Sequence, residues 1–197
     1  FVAWKAIAVK LGIPFDKKFN EQLKGVSRIQ SMKKILDLGN MAKTEKELLL
    51  LTEEKNQIYV DIISKMTSDD ILPGVISFLE LLESHHVPKA IGSASKNTGT
   101  IVKVVGLSDR FDCIVDGNSV AKSKPDPEVF LKGAEGLKQN PKDCLVFEDA
   151  ISGVKAAKAG GMYCIGVGNP EVLGDADLVI PDMRTVDLKI LETLERR

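Results

Sequence analysis

The run LVFEDAISGVKAAKAGG, Leu145 to Gly161, ends an apolar stretch in two adjacent carboxylates, Glu148 and Asp149, and then turns helical. Two like charges about 4 Å apart repel by roughly 4 kcal/mol at an effective dielectric near 20, so a compensating positive charge is expected beside them. One ordinary answer is that Asp149 caps the helix starting near Ala150, its carboxylate accepting amide hydrogens left unpaired in the first turn. The other is a hard-oxygen cation site, because carboxylates suit Mg²⁺, an ion that commonly bridges protein acids to phosphate.

Two further stretches carry matching chemistry. SASKN, residues 93–97, follows the apolar Ala90-Ile91-Gly92 and offers the hydroxyls of Ser93 and Ser95 with the amides of a helix start, a cradle suited to phosphate. In AKSKPDPEVF, Pro125 and Pro127 stiffen the approach to a helix and hold Lys124 in place. Taken singly, a serine-rich turn reads as a turn and a lysine as solvated surface. Together, a hydroxyl and amide cradle, a point cation and a divalent-cation site are what a transferring phosphoryl group needs.

These stretches need elements to position them. From Phe1 to Met66 the apolar residues recur at helical spacing, as in Val2, Ile7 and Leu11 or Met32, Ile35 and Leu36, and Thr44 with Glu47 reads as a capping box. After TSDDILPG the pattern changes to short apolar runs at 90–92, 113–115, 144–147, 163–167 and 178–180. Helical patterns at 75–83, 100–105, 127–136, 151–159 and 186–194 lie between or after them. That alternation predicts an α/β fold with a parallel sheet, preceded by a helical module, with the division near residues 66–70. In such sheets ligands sit at the carboxyl ends of strands, where all three chemical stretches fall.

The 197 residues carry 27 Lys and Arg against 28 Asp and Glu, a net charge of −1, so no broad field recruits nucleic acid or a membrane and any anion site must be local. No apolar run approaches the roughly 20 residues of a membrane helix, and the chain is expected to be cytoplasmic. Cys113, Cys144 and Cys164 lie in separate apolar runs without CxxC spacing, which predicts buried, reduced thiols. The opening, FVAWKAIAVKLG, is in mid-helix pattern with no Met and no cap, so the 197 residues are expected to be a fragment of the encoded chain.

The order SASKN, SKPDP, FEDAISG resembles the second, third and fourth motifs of the haloacid dehalogenase superfamily, and the helical first half resembles that superfamily's small cap domain. Within the cap, AWKAIAVKLGI, FNEQLKGVSR, KILDL and EKNQIYV are similar to the superfamily's sugar-phosphate mutases, LKGVSR most pointedly. The resemblance implies a Rossmann-like parallel-sheet core at 67–197 and an all-helical cap at 1–66. It also implies that Ser93 binds the transferring phosphoryl group, that Lys124 neutralises it, and that Glu148 and Asp149 hold Mg²⁺. The distal phosphate and sugar contacts would fall on Gly25, Val26, Ser27, Arg28 and Lys55 in the cap and on Ser95, Lys96 and Asn97 in the core. The side-chain chemistry of Arg28 agrees, since a guanidinium can grip phosphate bidentately while a cap moves over a core.

One part of the pattern is missing. The superfamily's first motif, Asp-x-Asp at the end of the first strand, does not occur; Asp16 in FDKKF and the acids of SDD at 68–70 have neither the spacing nor a preceding strand. The nucleophile and the acid/base Asp are therefore expected upstream of Phe1, on a strand central to the sheet, whose absence would leave two exposed strand edges. The expected activity of the complete protein is Mg²⁺-dependent interconversion of β-D-glucose 1-phosphate and glucose 6-phosphate through an aspartyl phosphate and a bisphosphate. It would act as a monomer on a small-molecule sugar phosphate. The alternatives are a phosphatase on a small phosphoester, or a sugar-phosphate-binding module without catalysis if the chain begins at Phe1.

Overall fold

The computed structural model describes residues 1–187 and Lys189. Its first half is four helices, α1 (Val2–Lys10), α2 (Lys17–Glu21), α3 (Arg28–Leu38) and α4 (Glu45–Ile63). Short polar side chains set three of their starts by satisfying first-turn amides. Asp16 accepts from the Phe19 amide at 2.7 Å, Ser27 from Gln30 at 3.3 Å, and Thr44 and Glu47 form the expected capping box. The helices face inward on Ile7, Met32 and Ile35, all fully buried, with Trp4, Leu36 and Leu48 around them. Burial of each such aliphatic side chain contributes on the order of 1.5–3 kcal/mol.

The second half alternates helices and strands: α5 (Val75–Ser84), β1 (Ala90–Gly92), α6 (Thr98–Val104), β2 (Cys113–Val115), α7 (Glu128–Gly136), β3 (Leu145–Glu148), α8 (Ile151–Ala159), β4 (Tyr163–Val167), α9 (Pro170–Leu173) and β5 (Leu178–Ile180). Every strand pair is parallel. The main core lies where Val129 and Phe130 of α7 and Val154, Ala156 and Ala157 of α8 pack against Val146 and Cys164.

The strands do not form one continuous sheet. β1 pairs with β2, and β3, β4 and β5 form a second sheet, so among the described residues neither β1 nor β3 has a partner on its other edge. Side chains bridge the interval: α5 places Leu79 in a cluster with Ile91 of β1, while its Phe78 meets Phe147 of β3 edge-on at 5.0 Å.

Element boundaries differ from the sequence expectation by a residue or two. β3 runs one residue further, which makes Glu148 its last member, and α6 starts at Thr98 rather than 100. The short helix α9, started by Asn169 and Pro170, was not expected. The helical pattern at 186–194 falls almost wholly outside the described residues. Of the cysteines, Cys164 is buried but Cys113 and Cys144 are only half-buried; Cys113 opens β2 and Cys144 lies just before β3. Burial, with the charges of Glu148 and Asp177, pushes the Cys164 thiol up to about 12, so it stays protonated. Among the described residues no helix is long and apolar enough to cross a membrane.

Candidate active site

The ladder with β4 sets Glu148 opposite Gly166 and turns its side chain inward. One carboxylate oxygen accepts from the Ala150 amide at 2.9 Å and the other is held by the ammonium of Lys124. The space for this carboxylate exists because residue 153 is glycine: a Cβ there would stand 2.0 Å from Glu148 Cδ. Lys124 Nζ donates as well to the Gly92 carbonyl at 3.2 Å and lies 4.4 Å from the centre of the Phe130 ring. A single buried ammonium thus ties the carboxyl end of β1 to that of β3.

Asp149 has a different environment. Its side chain is two-thirds exposed and pairs with Lys24 Nζ, from the cap, at 3.3 Å. It does not cap α8; Ala150 holds that position without a side-chain bond, and the Ala150 amide goes to Glu148. The crowding expected between the two acids is therefore relieved by two lysines, one from the core and one from the cap. The chain direction at a strand end points successive side chains apart, which lets each find its own counter-ion.

The SASKN turn is held by its own hydroxyls. Ser93 Oγ accepts from the Ser95 amide and Ser95 Oγ from the Asn97 amide, both at 3.1 Å, which leaves the Ser93 hydroxyl proton available to donate. Asn97 sits at the start of α6 but makes no side-chain cap bond; its side-chain Nδ2 donates to Asn56 Oδ1 of α4 at 3.0 Å, across to the cap.

Opposite this turn stand the cap cations. Arg28 opens α3 just after the Ser27 cap and lies 3.8 Å from Glu53. Lys55 Nζ is 4.6 Å and 4.2 Å from the ring centres of Trp4 and Tyr59, within range of cation–π attraction. Burial foremost, and then the charge of Arg28, draw the Lys55 ammonium down to about 8. Burial likewise raises the Tyr59 phenol against the opposing effect of its hydrogen bond with Ser95.

All of the positions singled out in the sequence, from Gly25, Val26, Ser27, Arg28 and Lys55 to Ser93, Ser95, Lys96, Asn97, Lys124, Glu148 and Asp149, line one pocket of about 450 Å³ between cap and core. Lys24, Trp4 and Tyr59 line it too and were missed. Lys24 lies inside LKGVSR, yet no spacing rule separates a lysine that crosses to the core from one in solvent. The two aromatics read as ordinary helix-face residues until α1 and α4 are packed together.

The acids that the sequence ruled out as substitutes for the missing nucleophile lie outside the pocket lining. Asp16 caps α2, and Asp70 accepts from the Thr67 amide at 2.9 Å. Asp175 and Asp177 have Asp-x-Asp spacing but precede β5, and Asp177 is bound to Lys158 at 2.5 Å and to the Cys164 amide at 2.9 Å. Among the described residues no group of three or more His, Cys, Asp or Glu could hold a metal. Glu148 and Asp149 are the carboxylates among the described residues that line the pocket. That donor set fits Mg²⁺, which is commonly bound by one or two carboxylates with substrate phosphate and water completing its shell.

A parallel α/β core under a helical cap, with a mixed cationic and carboxylate pocket between them, defines a capped enzyme of the phosphotransferase and phosphatase class. Residues 3–161 match the haloacid dehalogenase-like hydrolase family, and the chain belongs to it. It is 39% identical over 193 residues to the β-phosphoglucomutase of Bacillus subtilis (strain 168), covering 97% of this chain and 85% of that protein. It superposes on the crystal structure of β-phosphoglucomutase from Clostridium difficile with a TM-score of 0.93 at 40% identity, covering 99% of this chain and 88% of that one. A phosphorylated carbohydrates phosphatase of Thermotoga maritima is more distant, at 27% identity over 165 residues, 82% of this chain and 74% of that protein.

Proposed function

We propose that the protein is a Mg²⁺-dependent sugar-phosphate mutase that interconverts β-D-glucose 1-phosphate and glucose 6-phosphate through a bisphosphate. The observation that carries this reading is the pairing, within one pocket, of Ser93 and Lys124 on the core side with Arg28 and Lys55 on the cap side. Two separated anion-binding ends suit a sugar carrying phosphate at both ends, and the pocket volume lies within the range of small-molecule sites. The similarity to two β-phosphoglucomutases points the same way.

On this reading Ser93 donates its hydroxyl hydrogen to the transferring phosphoryl group, and the Lys124 ammonium balances that group's charge while keeping Glu148 in place. Glu148 and Asp149 would hold Mg²⁺, which when bound supplies positive charge to the phosphoryl oxygens. Arg28, Lys55 and the backbone of Gly25 to Ser27 grip the distal phosphate and the sugar, with Ser95, Lys96 and Asn97 completing the core side. On this reading the attacking carboxylate and the acid/base Asp belong to a strand-end Asp-x-Asp motif that residues 1–197 do not carry, and those residues are inactive by themselves. The complete protein works in the cytoplasm as a monomer, with residues 1–66 as cap and 67–197 as core.

The test compares two reactions in the full-length protein. Binding energy from the remote phosphate supports turnover of the sugar substrate and is irrelevant to a small phosphoester. Arg28→Ala is expected to lower turnover of β-D-glucose 1-phosphate, primed with the bisphosphate, at least tenfold while acetyl phosphate hydrolysis changes little. Equal losses on both would reject a mutase cap, and phosphate release without glucose 6-phosphate would establish the phosphatase reading instead.

A further inference from the structure

Ser152 lies in the first turn of α8, one turn from the carboxylates, and is half-buried. No part of the phosphoryl chemistry above uses it. Its hydroxyl donates to the Lys24 carbonyl at 2.8 Å, a contact that joins the core to the cap across 128 positions of sequence. The next residue, Gly25, has φ of +70° and brings its backbone flush against the same hydroxyl: a Cβ there would lie 2.3 Å from Ser152 Oγ. The side chain of Lys24 meanwhile reaches past to Asp149 and to Glu21. Three features of one short cap loop, a carbonyl, a bare Cα and an ammonium, thus engage the start of α8.

We infer that Ser152 is a positioning residue, which latches the 24–28 loop onto the core when the cap is closed and so sets where Ser27 and Arg28 stand over the pocket. The geometry favours a latch over a permanent joint. Of the three contacts, one is a single neutral hydrogen bond and one is an exposed ion pair, each weak enough to open on a catalytic cycle. The left-handed backbone at Gly25 presents the Lys24 carbonyl to the core, and a residue with a side chain would hold the two surfaces apart. This inference rests on the mutase reading for its kinetic consequence, but the latch itself is a statement about cap position.

The experiment uses the full-length protein with Ser152→Ala and Ser152→Thr. Trp4 is the one tryptophan of the 197 residues and lines the pocket from the cap, so its emission reports the cap–core interval; any tryptophan upstream of Phe1 is first replaced by Phe. In Ser152→Ala the emission of the sugar-phosphate-saturated protein is expected to shift toward that of the open form. KM for β-D-glucose 1-phosphate should rise about fivefold, the worth of one such hydrogen bond, with acetyl phosphate hydrolysis within twofold of wild type. Ser152→Thr, which keeps the hydroxyl, should restore both. Unchanged emission in Ser152→Ala would overturn the latch, and so would an equal loss on the two substrates. If the wild-type protein turns over no glucose phosphate, the mutase reading fails, while the emission of wild type and variant with inorganic phosphate still decides whether Ser152 holds the cap.

Discussion

Lys124 and Glu148 form an ion pair in which both side chains are withdrawn from solvent, at 5% and 8% exposure. Breaking a buried pair from one side leaves an uncompensated charge, at a cost of about 3–5 kcal/mol, whereas replacing both partners by neutral groups costs far less. Lys124→Met alone should therefore destabilise the protein by about that amount in urea unfolding. The double variant Lys124→Met/Glu148→Gln should recover most of it. Additive losses in the double variant would show that the two side chains do not sense one another.

Asp149 is the exposed acid of the pair, so its change should be felt by metal and little by the fold. Its partner in the structure is an ion pair at the surface, worth about 0–1 kcal/mol. Asp149→Asn is expected to weaken Mg²⁺ binding in calorimetric titration at least tenfold while the unfolding midpoint stays close to wild type. A metal titration identical to wild type would remove Asp149 from the cation site.

Lys55 gives the pocket a pH dependence whose sign can be worked out. Burial and Arg28 draw it to about 8, below the ordinary 10.5, so between those values the unfolded chain carries a proton that the native state has lost. Stability from this group therefore rises as pH climbs from about 8 toward 10.5. Affinity for phosphate anions should move the other way, falling as pH passes 8 and the ammonium is lost, and this is measured by phosphate titration across pH 6.5–9.5. Arginine keeps its charge over that range, so Lys55→Arg should flatten the profile. A wild-type profile that is level through pH 8 would contradict the assignment.

Gly153 and Gly99 make a contrasting pair, since both lie in helices where alanine is preferred by about 1 kcal/mol. At Gly99 nothing lies within 4 Å of the added methyl, so Gly99→Ala should be neutral or stabilising. At Gly153 the methyl would collide with the Glu148 carboxylate at 2.0 Å. Overpacking of this kind costs about 1–3 kcal/mol. Gly153→Ala should accordingly lower the denaturant midpoint and loosen Mg²⁺ binding together, and a stabilised Gly153→Ala protein would show that the carboxylate has room to move.

Local chemistry by itself determined much of this protein. The alternation of apolar runs and helical spacing after residue 70 located the five strands of the described residues, because strand and helix periods are written in consecutive side chains. The capping box at Thr44 and Glu47 was legible for the same reason, being closed within four residues. The motif order SASKN, SKPDP, FEDAISG pointed to the superfamily, and the side chains it named do converge on one pocket. Tertiary structure alone decided which charge answers which. Glu148 and Asp149 are neighbours in sequence, yet one meets Lys124 of the core and the other Lys24 of the cap, pairings 24 and 125 residues apart. The Trp4 and Tyr59 faces around Lys55, the Asn56–Asn97 bond and the Ser152 contact to Lys24 are of the same kind. Two open strand edges were expected from the sequence, but that β1 and β3 are the strands that carry them emerged only in three dimensions, because edge pairing depends on which strands lie side by side, and no run of residues records its neighbour across a gap.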